Sequence, residues 1–235
     1  MQAEVERRSG SFRPRGTREP IRSWALRLPA RVARAMLWPT LLGPFVRSYY
    51  DLSTVGVGAL DGLSGPVIFA ANHTAHLDNA FIIVALPKRW RRRLAIAAAA
   101  ADIFGPRHFG LPIKGALARL LGNAFPFARG RMAARVDHLQ SLLDLGWSVL
   151  IFPEGKLTVC GPMQPFKAGI GLIATESRTP VVPVRVDVER RGPWEGAGRF
   201  SRGRVVVRFG EPLRFEPGEN PTQATARLEA AVRGL

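Results

Sequence analysis

Several residue types are scarce in this chain of 235 residues, and each scarcity excludes a class of protein. A single cysteine, Cys160, rules out an internal disulfide, and no Cys/His cluster has the spacing of a zinc site. The uncharged stretch between Arg34 and Arg47 is interrupted by Pro39 and Pro44, whereas a membrane-spanning helix needs about 20 apolar residues. We therefore expect a protein of a reducing compartment, with no bound metal and no transmembrane helix.

Lysine and acidic residues are scarce in comparison with arginine. Only four of the 34 basic residues are lysines, 18 residues are acidic, and the formal net charge is +16. A surface of this kind binds anions, such as nucleic acids, anionic lipid head groups or phosphorylated substrates. The sequence contains no helix-turn-helix or zinc-finger pattern, and its aromatic residues do not alternate with cations, so we expect no nucleic-acid partner. Its arginine-rich start also lacks the order of a secretory signal.

The N-terminal part of the chain divides into two segments. Residues 1–22 carry six arginines and almost nothing apolar, which predicts a basic, disordered arm. Residues 23–54 contain an amphipathic helical pattern in which Arg27, Arg31 and Arg34 share one side. The same segment contains aromatic residues typical of membrane interfaces, namely Trp24, Trp38, Phe45, Tyr49 and Tyr50. Two interpretations remain open: this segment lies on an anionic membrane, or it packs its apolar side on the domain and leaves its arginines in water.

From residue 55 onward, strand-like apolar runs alternate with helical patterns. This alternation predicts an α/β fold with a mainly parallel sheet flanked by helices. The most strand-like run covers residues 147–152, and residues 122–130 form an apolar loop before it. We expect Pro183, in a later strand-like run, to lie at a strand end or edge, because proline cannot donate a hydrogen bond to a neighbouring strand.

Residues 67–78 carry the strongest chemical signal. A buried strand ends there in a polar turn that contains His73, five residues before Asp78. Open α/β sheets place their chemistry at such strand ends. We expect Asp78 to cap the next helix and to reach back to His73, where a carboxylate fixes the imidazole tautomer and stabilises its protonated form. The simpler interpretation is a helix cap beside a histidine with an ordinary loop hydrogen bond.

Two further segments have the character of a ligand site. Glu154, Gly155 and Lys156 follow the strand at 147–152, on a turn whose glycine lets backbone amides approach a ligand. This turn and the His73 turn are expected to face one cleft. Arg129 lies between glycines in an apolar loop, where a guanidinium suits phosphate binding, although a plain surface arginine is the simpler interpretation.

Four segments together resemble the motifs of a known family. Residues 72–78, 125–129, 152–155 and 182–184 resemble, in order, the four motifs of the glycerolipid acyltransferases, and most closely those of lysophosphatidate acyltransferases. The resemblance covers the chain from about residue 56 to its end, so the acyltransferase domain is expected at residues 55–235.

The resemblance implies an activity and a location. The family transfers a fatty acyl group from acyl-CoA or acyl-carrier protein to the hydroxyl of a lysophospholipid, in phospholipid synthesis or remodelling, with no cofactor. Together with the basic, aromatic-rich N-terminal segment, this implies a peripheral enzyme on the cytoplasmic face of an anionic membrane.

The resemblance also assigns a role to each motif residue. His73 would be the general base that removes the proton of the acceptor hydroxyl, and Asp78 would orient and charge the imidazole. Arg129 would bind the acceptor phosphate. Glu154 with Gly155 would shape the acceptor site, and Pro183 would lie near the acyl-donor channel.

One position departs from the family pattern. The third motif usually reads Phe-Pro-Glu-Gly-Thr-Arg-Ser, whereas residues 152–158 read FPEGKLT, so that Leu157 replaces the arginine. Lys156 supplies a cation one position earlier, but it lacks the planar fork that matches phosphate. The acceptor is therefore expected to be 1-acylglycerol-3-phosphate or another lysolipid or glycolipid. A non-catalytic relative that binds anionic lipid is the alternative.

Overall fold

The computed structural model describes residues 23–75, 77–99, 113–127, 132–158, 161–189 and 203–235. The strands of this part are β1 (Tyr50–Val55), β2 (Ile68–Ala71), β3 (Leu94–Ala99), β4 (Ala124–Phe127), β5 (Ser148–Ile151), β6 (Val181–Glu189) and β7 (Gly203–Phe209). The α-helices are α1 (Leu28–Leu37), α2 (Gly43–Tyr49), α3 (Asp78–Ala85), α4 (Lys88–Arg91), α5 (Ile113–Gly122), α6 (Met132–Asp144), α7 (Gly169–Ser177) and α8 (Pro221–Arg233). The predicted arm at residues 1–22 and the candidate Arg129 lie outside the described residues.

The described strands form one sheet in the order β1-β7-β6-β2-β5-β3-β4. β6 and β7 pair antiparallel, and all other neighbours in the sheet pair parallel. β2 lies near the centre, between β6 and β5, and all four of its residues are buried. Because both faces of such a strand are covered, its sequence is apolar throughout. The predicted α/β fold with a mainly parallel sheet is confirmed.

The two faces of the sheet carry separate hydrophobic cores. Alternate residues of a strand point to opposite faces, so Phe69 packs with Phe81 and Trp90 on one face, whereas Ile68 packs with Leu139 on the other. β2 is therefore held from both sides. The turn that follows it, with His73, starts from a fixed point of the fold.

Residues 24–49 form a nearly continuous helical module, called here the N-terminal module. It consists of a short 3₁₀ turn, α1, a π-helical turn at Trp38–Leu42 and α2. Pro39 and Pro44 lie in the first turns of the last two elements, where a missing amide hydrogen costs little. Among the described residues, no helix combines the length and the apolar content needed to cross a bilayer.

The side of α1 that carries Arg34 faces the domain, which contradicts the interpretation that the apolar side packs on the domain and leaves the arginines in water. The guanidinium of Arg34 is buried and donates hydrogen bonds to the carbonyl oxygens of Ala25 (2.5 Å), Arg119 (3.2 Å) and Leu120 (3.2 Å). Burial, helped by the nearby charge of Arg31, lowers the pKa of Arg34 to about 10. Carbonyls at the end of a helix carry partial negative charge, so the C-terminal end of α5 stabilises this cation.

The apolar side of the N-terminal module consequently faces outward. Its exposed large side chains are Trp24, Leu28, Val32, Met36, Leu41, Phe45 and Tyr49. Two of the aromatic residues predicted for a membrane interface point inward instead: Trp38 donates from Nε1 to the carbonyl of Leu121 (2.8 Å), and Tyr50 packs edge-on against Phe81. The module therefore presents seven large apolar side chains, called here its apolar surface, on the outside of the domain.

Two predicted segment assignments are wrong. Residues 50–54 were expected at the end of a helical segment, but they belong to β1, which pairs with β7. Residues 124–127 were expected in a loop, but they form β4 beside β3. In both cases pairing with a distant strand decides the structure, and local sequence carries no sign of that strand.

Pro183 lies inside the interior strand β6, which contradicts its predicted place at a strand end or edge. It pairs with Ala70 of β2 on one side. On the other side, antiparallel pairing begins at Val184, opposite Phe209, and resumes at Val181, opposite Leu213. The four residue steps from Phe209 to Leu213 thus lie opposite only three steps of β6, from Val184 back to Val181. The resulting bulge puts the missing amide of proline where regular pairing is interrupted.

Candidate active site

The candidate site lies where the neighbouring parallel strands β2 and β5 end at the same edge of the sheet. The turn after β2 carries His73, and the turn after β5 carries Glu154. The two turns touch, because the amide of His73 donates to Oε1 of Glu154 at 2.7 Å. The predicted convergence of these turns, 81 residues apart in the chain, is confirmed.

A buried carboxylate holds the ring of His73. Nδ1 of His73 lies 2.9 Å from Oδ2 of Asp78, whose side chain has no exposed surface. The same oxygen accepts hydrogen bonds from the amides of Thr74 (2.6 Å) and Ala75 (2.9 Å). Such bonds, together with the positive end of α3, stabilise an ionised carboxylate.

Asp78 stabilises the turn and does not occupy the predicted cap position. It is the first residue of α3, and Leu77 is the cap residue. Its carboxylate reaches backward into the His73 turn, so one aspartate fixes both the backbone of the turn and the ring that the turn carries. The expected hydrogen bond between Asp78 and His73 is present.

The imidazole is fixed by a second contact. The ring of Phe152, at the end of β5, stacks on the ring of His73 with centroids 4.3 Å apart and planes 27° apart. About one fifth of the His73 side chain is exposed. With Nδ1 directed at a carboxylate, the proton on that nitrogen stays in place and Nε2 is the nitrogen that can accept one.

Glu154 is buried and its oxygens are occupied. In addition to the His73 amide, it accepts hydrogen bonds at Oε2 from the hydroxyl of Thr158 (3.1 Å) and the amide of Gln164 (2.8 Å). Thr158 in turn donates its amide to the carbonyl of His73 at 2.8 Å. The carboxylate therefore joins three chain segments and positions the backbone of His73.

A buried asparagine completes the end of β2. Asn72 donates from Nδ2 to the carbonyl of Val186 (2.9 Å) and accepts at Oδ1 from the amide of the same residue (2.7 Å). Its side chain thus copies the pairing of a backbone and ties the start of the His73 turn to β6. Sequence reasoning missed this role, and that of Thr158 and Gln164, because only the folded chain brings their partners close.

The remaining predicted site residues have distinct surroundings. Gly155 adopts a positive φ of 69°, a conformation that favours glycine. Lys156 is exposed beside it, and Pro183 lies in the sheet, one strand away from the strand that leads to His73. The structure therefore brings His73, Asp78 and Glu154 together. The described residues contain no group of three His, Cys, Asp or Glu side chains that could hold a metal ion.

This arrangement can perform one kind of chemistry well. An imidazole held at Nδ1 by a buried carboxylate, with Nε2 available, can take a proton from a hydroxyl and so activate it as a nucleophile. The fold and this site define a class: a model of the acyltransferase family matches residues 47–187, which is more than half of the chain. The chain belongs to this family.

Particular relatives narrow the comparison. The chain is 26% identical over 183 residues to a chloroplastic 1-acyl-sn-glycerol-3-phosphate acyltransferase of Brassica napus, a match that covers 76% of this chain and 49% of that protein. It is 27% identical over 157 residues to 1-acyl-sn-glycerol-3-phosphate acyltransferase alpha of Bos taurus, covering 65% and 51%. The chain thus spans about half the length of the curated relatives it matches.

A solved structure shares the fold. The LPA acyltransferase PlsC from Thermotoga maritima superposes with a TM-score of 0.57 at 18% identity, over 82% of this chain and 76% of that one. At this identity the likeness shows a common architecture.

Proposed function

We propose that this chain is an O-acyltransferase that moves a fatty acyl group from acyl-CoA or acyl-carrier protein to the hydroxyl of a lysophospholipid, with 1-acylglycerol-3-phosphate as the main acceptor. One observation carries the proposal: in a member of the acyltransferase family, Nδ1 of His73 lies 2.9 Å from the buried carboxylate of Asp78. The names of the relatives, 1-acyl-sn-glycerol-3-phosphate acyltransferases, support this acceptor.

The proposed mechanism uses one base and no acyl-enzyme. Nε2 of His73 takes the proton of the acceptor hydroxyl as its oxygen attacks the carbonyl carbon of the thioester. The C–S bond then breaks, an ester bond remains, and the departing sulfur takes the proton from the imidazolium. Asp78 stabilises the imidazolium between these steps, while Glu154 keeps the backbone of His73 in place.

We also propose that the enzyme binds the surface of an anionic membrane, peripherally and on the cytoplasmic face. The apolar surface of the N-terminal module supports this, because large apolar side chains exposed together on one segment favour an interface with lipid. The formal net charge of +16 adds attraction to anionic head groups. Phe45→Ser should weaken binding to anionic vesicles in sedimentation assays, whereas Thr40→Ser, also on the exposed side of the module, should not. Equal binding by the unmodified protein and the two variants would contradict this role of the module.

Acyl transfer itself has a direct test. The purified protein is incubated with a labelled acyl thioester and a panel of lysolipids, including lysophosphatidate, lysophosphatidylcholine, lysophosphatidylglycerol and a glycolipid, and each product is identified by mass. We expect an acylated product, most of it from lysophosphatidate, and at most about one hundredth of that amount from the His73→Ala variant in the same time. A chain that acylates no acceptor, or one that works equally well without His73, would contradict the proposal.

A further inference from the structure

The side chain of Lys167 lies over Gly155, in the turn that also carries Glu154. A Cβ atom built on Gly155 would collide with Nζ of Lys167, so the ammonium group rests directly on this residue. Gly155 follows Glu154, whose carboxylate accepts the amide of His73. A cation twelve residues further along the chain is thus placed one residue away from the group that positions the candidate base.

Hydrogen bonds fix the segment that carries this lysine. The amide of Lys167 donates to the carbonyl of Pro153 at 3.0 Å, and the amide of Gln164 donates to Glu154 at 2.8 Å. The amide of Phe166 donates to Glu229 of α8 at 2.8 Å. The segment is therefore docked against the turn, and the position of the ammonium group follows from that docking.

The charge of Lys167 is uncompensated within the described part of the chain. No hydrogen bond or ion pair of that part engages its ammonium group. The nearest carboxylate along the turn, Glu154, is buried and already accepts three hydrogen bonds. The side chain of Lys167 is exposed, and so is that of Lys156, two residues after Glu154. Two ammonium groups beside one turn, without a counter-ion, suit an anion supplied by a ligand.

We propose that Lys167 binds the phosphate of the lysophospholipid acceptor and so supplies a cation beside the turn in which Leu157 replaces the arginine of the family pattern. The inference rests on the proposed acyl transfer and adds the group that selects the acceptor. An ammonium group is a compact charge with freely rotating donors, so it attracts phosphate by charge and does not require one bidentate geometry. The acceptor favoured by such a site is a phosphomonoester, with about two negative charges, over a zwitterionic phosphodiester.

Binding of the acceptor can be measured without turnover. In the His73→Ala background, Lys167→Met should raise the Kd for lysophosphatidate in detergent micelles about 10-fold, equal to about 1.4 kcal/mol. Binding of monoacylglycerol, which has the same chain and no phosphate, should stay unchanged. Lys167→Arg should retain most of the affinity. Lys88→Met is the matched control, since it removes one exposed lysine from α4, which precedes β3 at the opposite edge of the sheet.

Kinetics on the active protein complete the test. Lys167→Met should raise the KM for lysophosphatidate about 10-fold and change kcat by less than about twofold. An unchanged Kd and KM, or an equal loss for lysophosphatidate and monoacylglycerol, would overturn the assignment while leaving acyl transfer in place. If the unmodified protein acylates no lysolipid at all, the proposed function fails first, and this inference fails with it.

Discussion

The turn at His73 and the N-terminal module bury charged groups in opposite ways. At the turn, two carboxylates are buried and are surrounded by donors: Asp78 accepts two amides and the imidazole, and Glu154 accepts two amides and a hydroxyl. In the module, Arg34 is the buried charge and three carbonyl oxygens surround it. In both regions the backbone compensates the charge. A charged residue in an amphipathic pattern therefore packs toward the groups that compensate its charge, and these can be backbone groups of the protein as well as water.

The largest effect is expected at the imidazole. His73→Ala should lower kcat for acyl transfer by about 10²- to 10⁴-fold, because it removes the general base. His138→Ala is the matched control. His138 packs beside Phe125, which belongs to the hydrophobic core on the same face of the sheet as Ile68, and should be dispensable for catalysis. The turnover number of each variant is measured from the release of the thiol product. A His73 variant with most of its activity would refute the mechanism.

Glu154 tests whether a buried carboxylate acts through the backbone it holds. Glu154→Gln presents amide hydrogens to groups that are themselves donors, so the His73 turn should shift. A misplacement of about 1 Å costs about 10²-fold in rate, and we expect a loss of kcat up to that size. Glu219→Gln is the control, because Glu219 accepts the amide of Glu216 and pairs with Arg227 but, within the described part of the chain, contacts neither turn of the site. Equal kcat values for the two variants would remove the positioning role of Glu154.

Arg34 tests the other half of the comparison. Arg34→Met keeps an apolar stem but leaves the carbonyls of Ala25, Arg119 and Leu120 without their donor, which should cost about 1–3 kcal/mol of stability. Arg31 is only partly buried, and its guanidinium makes a cation–π contact with the ring of Trp147 at 5.8 Å. Arg31→Met should therefore cost less stability than Arg34→Met. Urea unfolding compares the two. Equal losses would show that the buried contacts of Arg34 contribute nothing special.

The smallest effect concerns pH. Burial lowers the pKa of His138 in the folded state, so the unfolded chain binds a proton more readily. Stability should therefore fall as the pH drops through about 6.5, the usual pKa of histidine, and should level off below the folded pKa. Free energies of unfolding at several pH values, for the unmodified protein and His138→Gln, measure the slope. A variant with the same slope as the parent would assign it to other groups.

The sequence predicted the α/β fold and the pair His73 and Asp78 for a physical reason. Parallel strands buried on both faces are apolar throughout, and polar residues that follow them must lie at the carboxyl edge of the sheet. These signals are local, so they can be read along the chain. The predicted start of the helix at Asp78 is correct within one residue for the same reason.

The errors share a different cause. Periodicity shows that Arg31 and Arg34 lie on one side of α1, but the carbonyls that turn this side inward belong to α5, 85 residues away. Likewise β1 exists because β7 pairs with it, and Pro183 fits inside the sheet because the chain bulges opposite it. Long-range partners decide these features. Lys167 was missed in the same way, since only the fold brings it to Gly155.

The central claim is that His73 and Asp78 act as one catalytic unit, and a double-mutant cycle tests it most directly. The rates of acyl transfer to lysophosphatidate are measured for His73→Ala, Asp78→Asn and the double variant under identical conditions. We predict that the double variant is no slower than His73→Ala, because without the imidazole the carboxylate has no ring to orient or charge. Losses that multiply in the double variant would contradict the account, since they would show that the two residues act independently.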